Sequence, residues 1–153
     1  VVVVPAFTGL GAPYWRSDVR GAIFGITRGT TRETLVKATL DSIALQVKDV
    51  FDLMVRESGV RIRTLKVDGG ASQNQYVMQR QADLLNVPVL RTRASESTAW
   101  GAAKLAGLVS GFWKDIGPLD SRARYERFRP RKNRRELKTL VANWKAAIER
   151  LVT

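Results

Sequence analysis

The stretch Leu65-Lys66-Val67-Asp68-Gly69-Gly70-Ala71-Ser72-Gln73-Asn74 constrains the fold more than any other part of the chain. An apolar strand candidate runs into two adjacent glycines, and a helical pattern opens directly after them. A glycine has no Cβ, so paired glycines let backbone approach a neighbour that a side chain would block. The helix that follows begins with free N–H groups and the positive end of its dipole. Strand, glycine turn and helix start together suit a flat, anionic ligand, and a nucleotide fits best.

The rest of the chain repeats the alternation of strand and helix. Val1–Phe7 reads as a buried strand that stops at Pro5, followed by a tight loop at Phe7–Trp15 and a short apolar strand at Gly21–Ile26. Thr31–Glu57 carries Val36, Leu40, Ile43, Val47, Val50, Phe51 and Met54 at spacings of three and four, which predicts one buried helical face. Thr30 or Thr31 is placed to cap this helix and Ser58-Gly59 to end it. Arg61–Asp68 reads as a strand and Ser72–Asn86 as a helix with Met78, Ala82 and Leu85 inward. Val87–Leu90 reads as a short strand. Ser95–Leu108 is a helix rich in small residues, with Ser95 or Thr98 near its cap. Glu136–Val152 is a last helix, with Leu137, Leu140, Val141, Trp144, Ile148 and Leu151 on one side. This order predicts an α/β fold with a layered sheet.

The chain has neither cysteine nor histidine. Disulfides and thiolate chemistry are excluded, and the commonest general base and metal ligand are lacking. A self-contained hydrolase or metalloenzyme is therefore a poor reading. No apolar run of about 18 residues occurs, so no membrane-spanning helix is expected. The start at Val1-Val2-Val3-Val4-Pro5 has no basic region or cleavage signal, and reads as a cut inside a longer protein. The net charge is +12, and Asp120–Thr153 holds eleven Lys or Arg against four Asp or Glu. A solvated basic face accounts for this. Binding of nucleic acid or anionic lipid through Arg122–Lys138 is the alternative.

Asp68-Gly69-Gly70-Ala71 is not a Walker loop, because no Gly-Lys-Ser/Thr follows, and it is not a Gly-x-Gly-x-x-Gly fingerprint. Asn74 lies about one helical turn beyond Gly70, where its amide can offer a donor and an acceptor to a base or ribose. The stretch Val67–Asn74 resembles the adenosine motif of the FGGY carbohydrate kinases, members of the actin/Hsp70/sugar-kinase superfamily. Further stretches resemble the branch of that family that acts on glycerol. They are Pro5–Trp15, Arg20–Gly29, Glu96–Ala103 and Gly111-Phe112-Trp113-Lys114, in the family's order and with similar spacing.

The resemblance implies an actin/Hsp70/sugar-kinase-like, ribonuclease H-like α/β domain with a mixed sheet and flanking helices. It makes residues 1–153 a partial C-terminal nucleotide-binding domain, with the N-terminal substrate domain absent. In the family, two domains close over Mg-ATP and a polyol, and the first domain carries the aspartate that acts as general base. By resemblance Gly69, Gly70 and Ala71 lie against adenine and ribose, and Asn74 hydrogen-bonds the nucleotide. Asp68 either matches the family's aspartate at this point or caps the loop. ATP and Mg2+ are the implied cofactors and glycerol or a related polyol the acceptor, in a cytoplasmic homo-oligomer. Xylulose, ribulose, gluconate and erythritol remain alternative acceptors. No Gly-Thr-Gly occurs, and nothing matches the polyol-binding or catalytic residues, so the 153 residues alone are expected to be inert. Trp100 and Lys104 depart from the family's usual residues. Tyr14 and Trp15 either stack on a ligand or pin their loop, and Arg16 and Arg20 either reach phosphate or stay solvated.

Overall fold

The computed structural model describes residues 1–92, 97–120, 124–131 and 134–153. The strands are β1 (Val2–Val4), β2 (Ala22–Phe24), β3 (Leu65–Val67), β4 (Val89–Thr92) and β5 (Tyr125–Phe128). The helices are α1 (Arg32–Ser58), α2 (Gln75–Leu85), α3 (Ser97–Val109), α4 (Gly117–Asp120) and α5 (Arg134–Val152). A 3-10 turn, Gly70–Gln73, precedes α2.

β1 and β2 pair antiparallel, with Val3 opposite Ile23. The second sheet is mixed, in the order β3-β4-β5. β3 and β4 run parallel, with Leu65 opposite Val89 and Val67 opposite Arg91. Parallel neighbours need a crossover, and α2 supplies it. β5 returns antiparallel to β4, with Val89 opposite Phe128 and Arg91 opposite Glu126. Sequence reading missed β5. Tyr125, Arg127 and Arg129 are exposed while Glu126 and Phe128 are half-buried, so its apolar content is slight and it hides in the basic stretch. Part of Arg122–Lys138 is therefore a paired strand.

α1 starts and stops as its sequence predicts. The Thr31 hydroxyl accepts from the Thr34 N–H at 3.3 Å, and Gly59 closes the helix in the left-handed region at φ 65°. Its buried side differs from the expected stripe. Ala38, Asp41, Ser42, Ala44 and Leu45 are buried, whereas Val36, Val50 and Met54 are 51%, 38% and 55% exposed. Small residues at 38, 42 and 44 let α2 and β1 approach, and Leu40 and Ile43 still pack inward. Apolar spacing marks a helix, but which side is covered depends on the neighbours.

Two clusters form the core. In one, α5 brings Trp144, Ala147 and Ile148 against Val4, Ala6, Leu10, Ala44, Leu45 and Leu84. In the other, Val77, Met78 and Ala82 of α2 meet Val89, with Leu65, Val67 and Phe128 around them. Full burial of a valine such as Val4 or Val89 stabilises by about 1.5–3 kcal/mol.

The N-terminal loop is fastened at several points. Leu10 and Arg16 exchange backbone hydrogen bonds of 2.8 and 2.9 Å, and the Ala12-Pro13 peptide is cis. Gly9 sits at φ +93°, and a Cβ there would come within 2.6 Å of the Arg16 carbonyl oxygen and of Ser17 Cα. Tyr14 packs on the first cluster and donates to Asp49 Oδ2 at 2.8 Å, so it pins the loop. Trp144 Nε1 donates to the same oxygen at 2.7 Å. Burial pushes the Asp49 carboxyl up, against the pull of these two donors. Trp15 is 78% exposed and does not pin the loop to the described core. Arg16 pairs with Asp18 through both Nε and Nη2, and its Nη1 donates to the Val152 carbonyl at the end of α5. The Arg16 guanidinium holds the Asp18 carboxyl down at about 2.

Candidate functional site

β3 delivers the chain to Asp68 at the edge of the mixed sheet, and Asp68, Gly69, Gly70 and Ala71 are exposed in sequence. Gly69 has φ 83° and ψ 176°, a region open essentially to glycine alone. A Cβ built at Gly69 or Gly70 would meet nothing within 4 Å among the described residues. The glycines thus leave open space above the loop and do not serve an internal contact. Ser72 is buried beneath it: its hydroxyl and its N–H both donate to the Gly69 carbonyl, at 2.7 and 3.1 Å.

The helix does not open directly after the glycines. The 3-10 turn intervenes, and Asn74 stands between the two helical segments with φ −77° and ψ 109°. Its N–H donates to the Ala71 carbonyl at 3.3 Å. Its Oδ1 accepts from the Val77 N–H at 3.1 Å and caps α2. The acceptor half of the amide expected to face a ligand is therefore engaged with the helix. The Nδ2 donor keeps no partner among the described residues. Gly69, Gly70, Ala71 and Asn74 lie together on this one exposed stretch.

Two networks hold the stretch, and sequence reading named neither. Arg91 on β4 reaches up to the turn: its Nη1 donates to the Ser72 and Gln73 carbonyls at 2.9 and 3.0 Å. Its Nη2 donates to Glu126 of β5, and its guanidinium lies 5.4 Å from the centre of the Phe128 ring. An arginine directly after the apolar run Val87–Leu90 was the available signal. The second network seats α2. Asp41 of α1 accepts from the Tyr76 hydroxyl at 2.7 Å and from Lys37 Nζ at 2.8 Å, and forms an ion pair with Arg80, whose Nε lies 2.9 Å from its Oδ1. Arg80 also donates to Tyr76 and to Glu136 of α5. Burial works against the Arg80 charge, but Tyr76 and Asp41 outweigh it and raise its pKa. Truncating one partner of so enclosed a charge pair strands the other.

The remaining candidates lie elsewhere. Arg20 donates to the Ser17 and Val19 carbonyls and braces its own loop. Trp100 of α3 meets Trp113 edge-on at 5.9 Å, with Lys104 Nζ 5.6 Å from its ring centre. Ser95 and Glu96 fall outside the described residues. A groove of about 740 Å³ between α2 and α5 includes Lys48, Leu137, Lys138 and Lys145, and none of Gly69–Asn74 lines it. Among the described residues no group of three Asp or Glu side chains is placed to hold a metal ion. No described helix is long and apolar enough to cross a membrane.

The mixed sheet with flanking helices is a fold that this chain shares with known proteins. The C-terminal domain of the FGGY family of carbohydrate kinases matches residues 1–109, and the chain belongs to that family. Its curated relatives include the glycerol kinase of Geobacillus sp. (strain WCH70), 53% identical over 150 residues. That match covers 97% of this chain and 30% of the relative, so the chain spans under a third of that protein's length. Among solved structures, that of Plasmodium falciparum glycerol kinase with ADP superposes with a TM-score of 0.84 at 34% identity, over 99% of this chain and 31% of that one. Gluconate kinase from Lactobacillus acidophilus gives 0.82 at 21% identity over 99% of this chain and 31% of its own, and shows the fold alone.

Proposed function

We propose that these residues form the nucleotide-binding part of an ATP-dependent glycerol kinase, which converts ATP and glycerol to ADP and glycerol 3-phosphate. One observation carries the reading: the exposed Gly69–Ala71 backbone, with Gly69 in a glycine-only conformation and open space above both glycines. Gly69, Gly70 and Ala71 flank adenine and ribose, and Asn74 contributes its Nδ2 donor while its Oδ1 keeps α2 in place. Mg-ATP supplies the phosphoryl group. Phosphoryl transfer depends on positioning and charge neutralisation, and this part of the protein does the positioning at the nucleoside end. The polyol site and the base that accepts its proton belong to a further domain outside residues 1–153. The relatives' identity favours glycerol over xylulose, ribulose, gluconate or erythritol as acceptor.

The test is turnover of the full-length protein with Mg-ATP, comparing glycerol with those sugars. Preferred phosphorylation of glycerol is the expected result, and phosphorylation of none of them would overturn the assignment. For the site itself, Mg-ADP added to isotope-labelled protein should move the amide signals of Asp68–Asn74 saturably.

A further inference from the structure

The Gly69–Ala71 backbone is exposed and glycine-rich, and such a segment loses much conformational freedom when a ligand orders it. A loop already held in its binding shape avoids that loss. The internal bonds of the turn run to the Gly69 and Ala71 carbonyls, from Ser72 and Asn74. The next two carbonyls, of Ser72 and Gln73, both accept from Arg91 Nη1, at 2.9 and 3.0 Å. The Arg91 side chain is 11% exposed, and Glu126 holds its other terminal nitrogen. The register explains the convergence. Arg91 stands opposite Val67, the last residue before the loop, and opposite Glu126 on its other side. One guanidinium on β4 therefore joins the loop to β5. Bonds from a charged donor are the stronger kind, and only a planar fork can serve carbonyls and carboxylate together.

We propose that Arg91 is a positioning residue for the nucleotide: it fixes the Ser72 and Gln73 carbonyls so that Gly69–Ala71 is shaped before the ligand arrives, with Glu126 orienting Arg91. The inference rests on the nucleotide reading of this loop. It also gives β5 a part in the site, since β5 carries Glu126 and Phe128 against the guanidinium.

The experiment uses the full-length protein and Mg-ADP as probe, with Arg91→Met, Arg91→Lys, Glu126→Gln and a control, Val89→Ala. Val89 is buried on the same strand and touches no loop carbonyl in the hydrogen bonds described, so its truncation lowers stability without releasing the turn. Arg91→Met should weaken ADP binding on the order of tenfold and speed hydrogen exchange at the Ser72 and Asn74 amides. Arg91→Lys should recover part of the affinity, because one ammonium serves fewer of the three acceptors. Glu126→Gln should fall between wild type and Arg91→Met. Val89→Ala should be less stable yet bind ADP as wild type does. Wild-type affinity in Arg91→Met would overturn the proposal, as would an affinity loss in Val89→Ala that matches its loss of stability. If Arg91→Met does not fold, wild-type affinity and loop exchange in Arg91→Lys and Glu126→Gln together would overturn it equally. Failure of the wild type to show ADP-dependent shifts at Gly69–Asn74 marks a different failure, that of the nucleotide reading, and removes both.

Discussion

Asn74 caps α2 and is proposed to donate to the nucleotide, and three substitutions separate the two roles. Its Oδ1 caps α2 through the Val77 N–H, and its Nδ2 is free to donate to a ligand. Alanine removes both. Serine keeps a capping oxygen on a shorter arm that ends short of the ligand side, and aspartate keeps the cap but turns the donor into an acceptor. Loss of a cap costs about 0.5–2 kcal/mol, so Asn74→Ala should shift urea unfolding by roughly that amount. Asn74→Ser should stay within a few tenths of a kcal/mol of wild type, because both residues are good caps. Asn74→Asp should match or exceed wild type, since a negative charge at a helix start contributes about 0.3–1 kcal/mol. Mg-ADP binding should order the variants differently. One lost neutral hydrogen bond is worth about 0.5–1.5 kcal/mol, so Asn74→Ser should bind roughly 2- to 13-fold more weakly. Asn74→Asp should bind more weakly still, because a carboxylate faces an anionic ligand. Calorimetric titration and urea unfolding on the same samples give both numbers. Wild-type affinity in Asn74→Ser and Asn74→Asp, with loss only in Asn74→Ala, would show that the residue acts through the cap alone and would refute the donor role.

Three further outcomes follow from the packing. Gly9→Ala should destabilise by about 2–4 kcal/mol, combining left-handed backbone strain with a contact against immovable backbone, as read from denaturant midpoints. Gly107→Ala should displace the Trp113 ring, since the new Cβ would lie 2.2 Å from Trp113 Cε3. Tryptophan fluorescence and near-ultraviolet circular dichroism should change, and an unchanged spectrum would contradict the packing. Asp49→Asn tests a pH effect. Burial raises the folded Asp49 carboxyl above its ordinary 3.8, so its contribution is fully present below 3.8 and is lost as pH rises through the folded value. Asparagine still accepts from Tyr14 and Trp144, so Asp49→Asn should lose less stability than wild type as pH rises from 3.8, in urea unfolding measured across that range.

Sequence alone determined most of the alternation between strand and helix, β5 and α4 apart, and several of the turns. The Thr31 cap, the Gly59 stop and the glycine pair at 69 and 70 are local matters: each follows from what one residue's backbone or side chain can do within a few neighbours. The exposed glycine turn at Gly69–Ala71 was legible for that reason. What only the tertiary structure decided depends on partners distant in sequence. The covered side of α1 was set by α2 and β1, so Asp41 and Ser42 are buried where Val36 and Met54 are not. Asn74 uses its Oδ1 to cap α2 because the chain enters that helix through a 3-10 turn, which hydrophobic spacing does not reveal. Arg91 and Glu126 lie 35 positions apart and meet because strand register sets them opposite one another, with the loop directly above. Register is a property of pairing, and a single strand does not carry it.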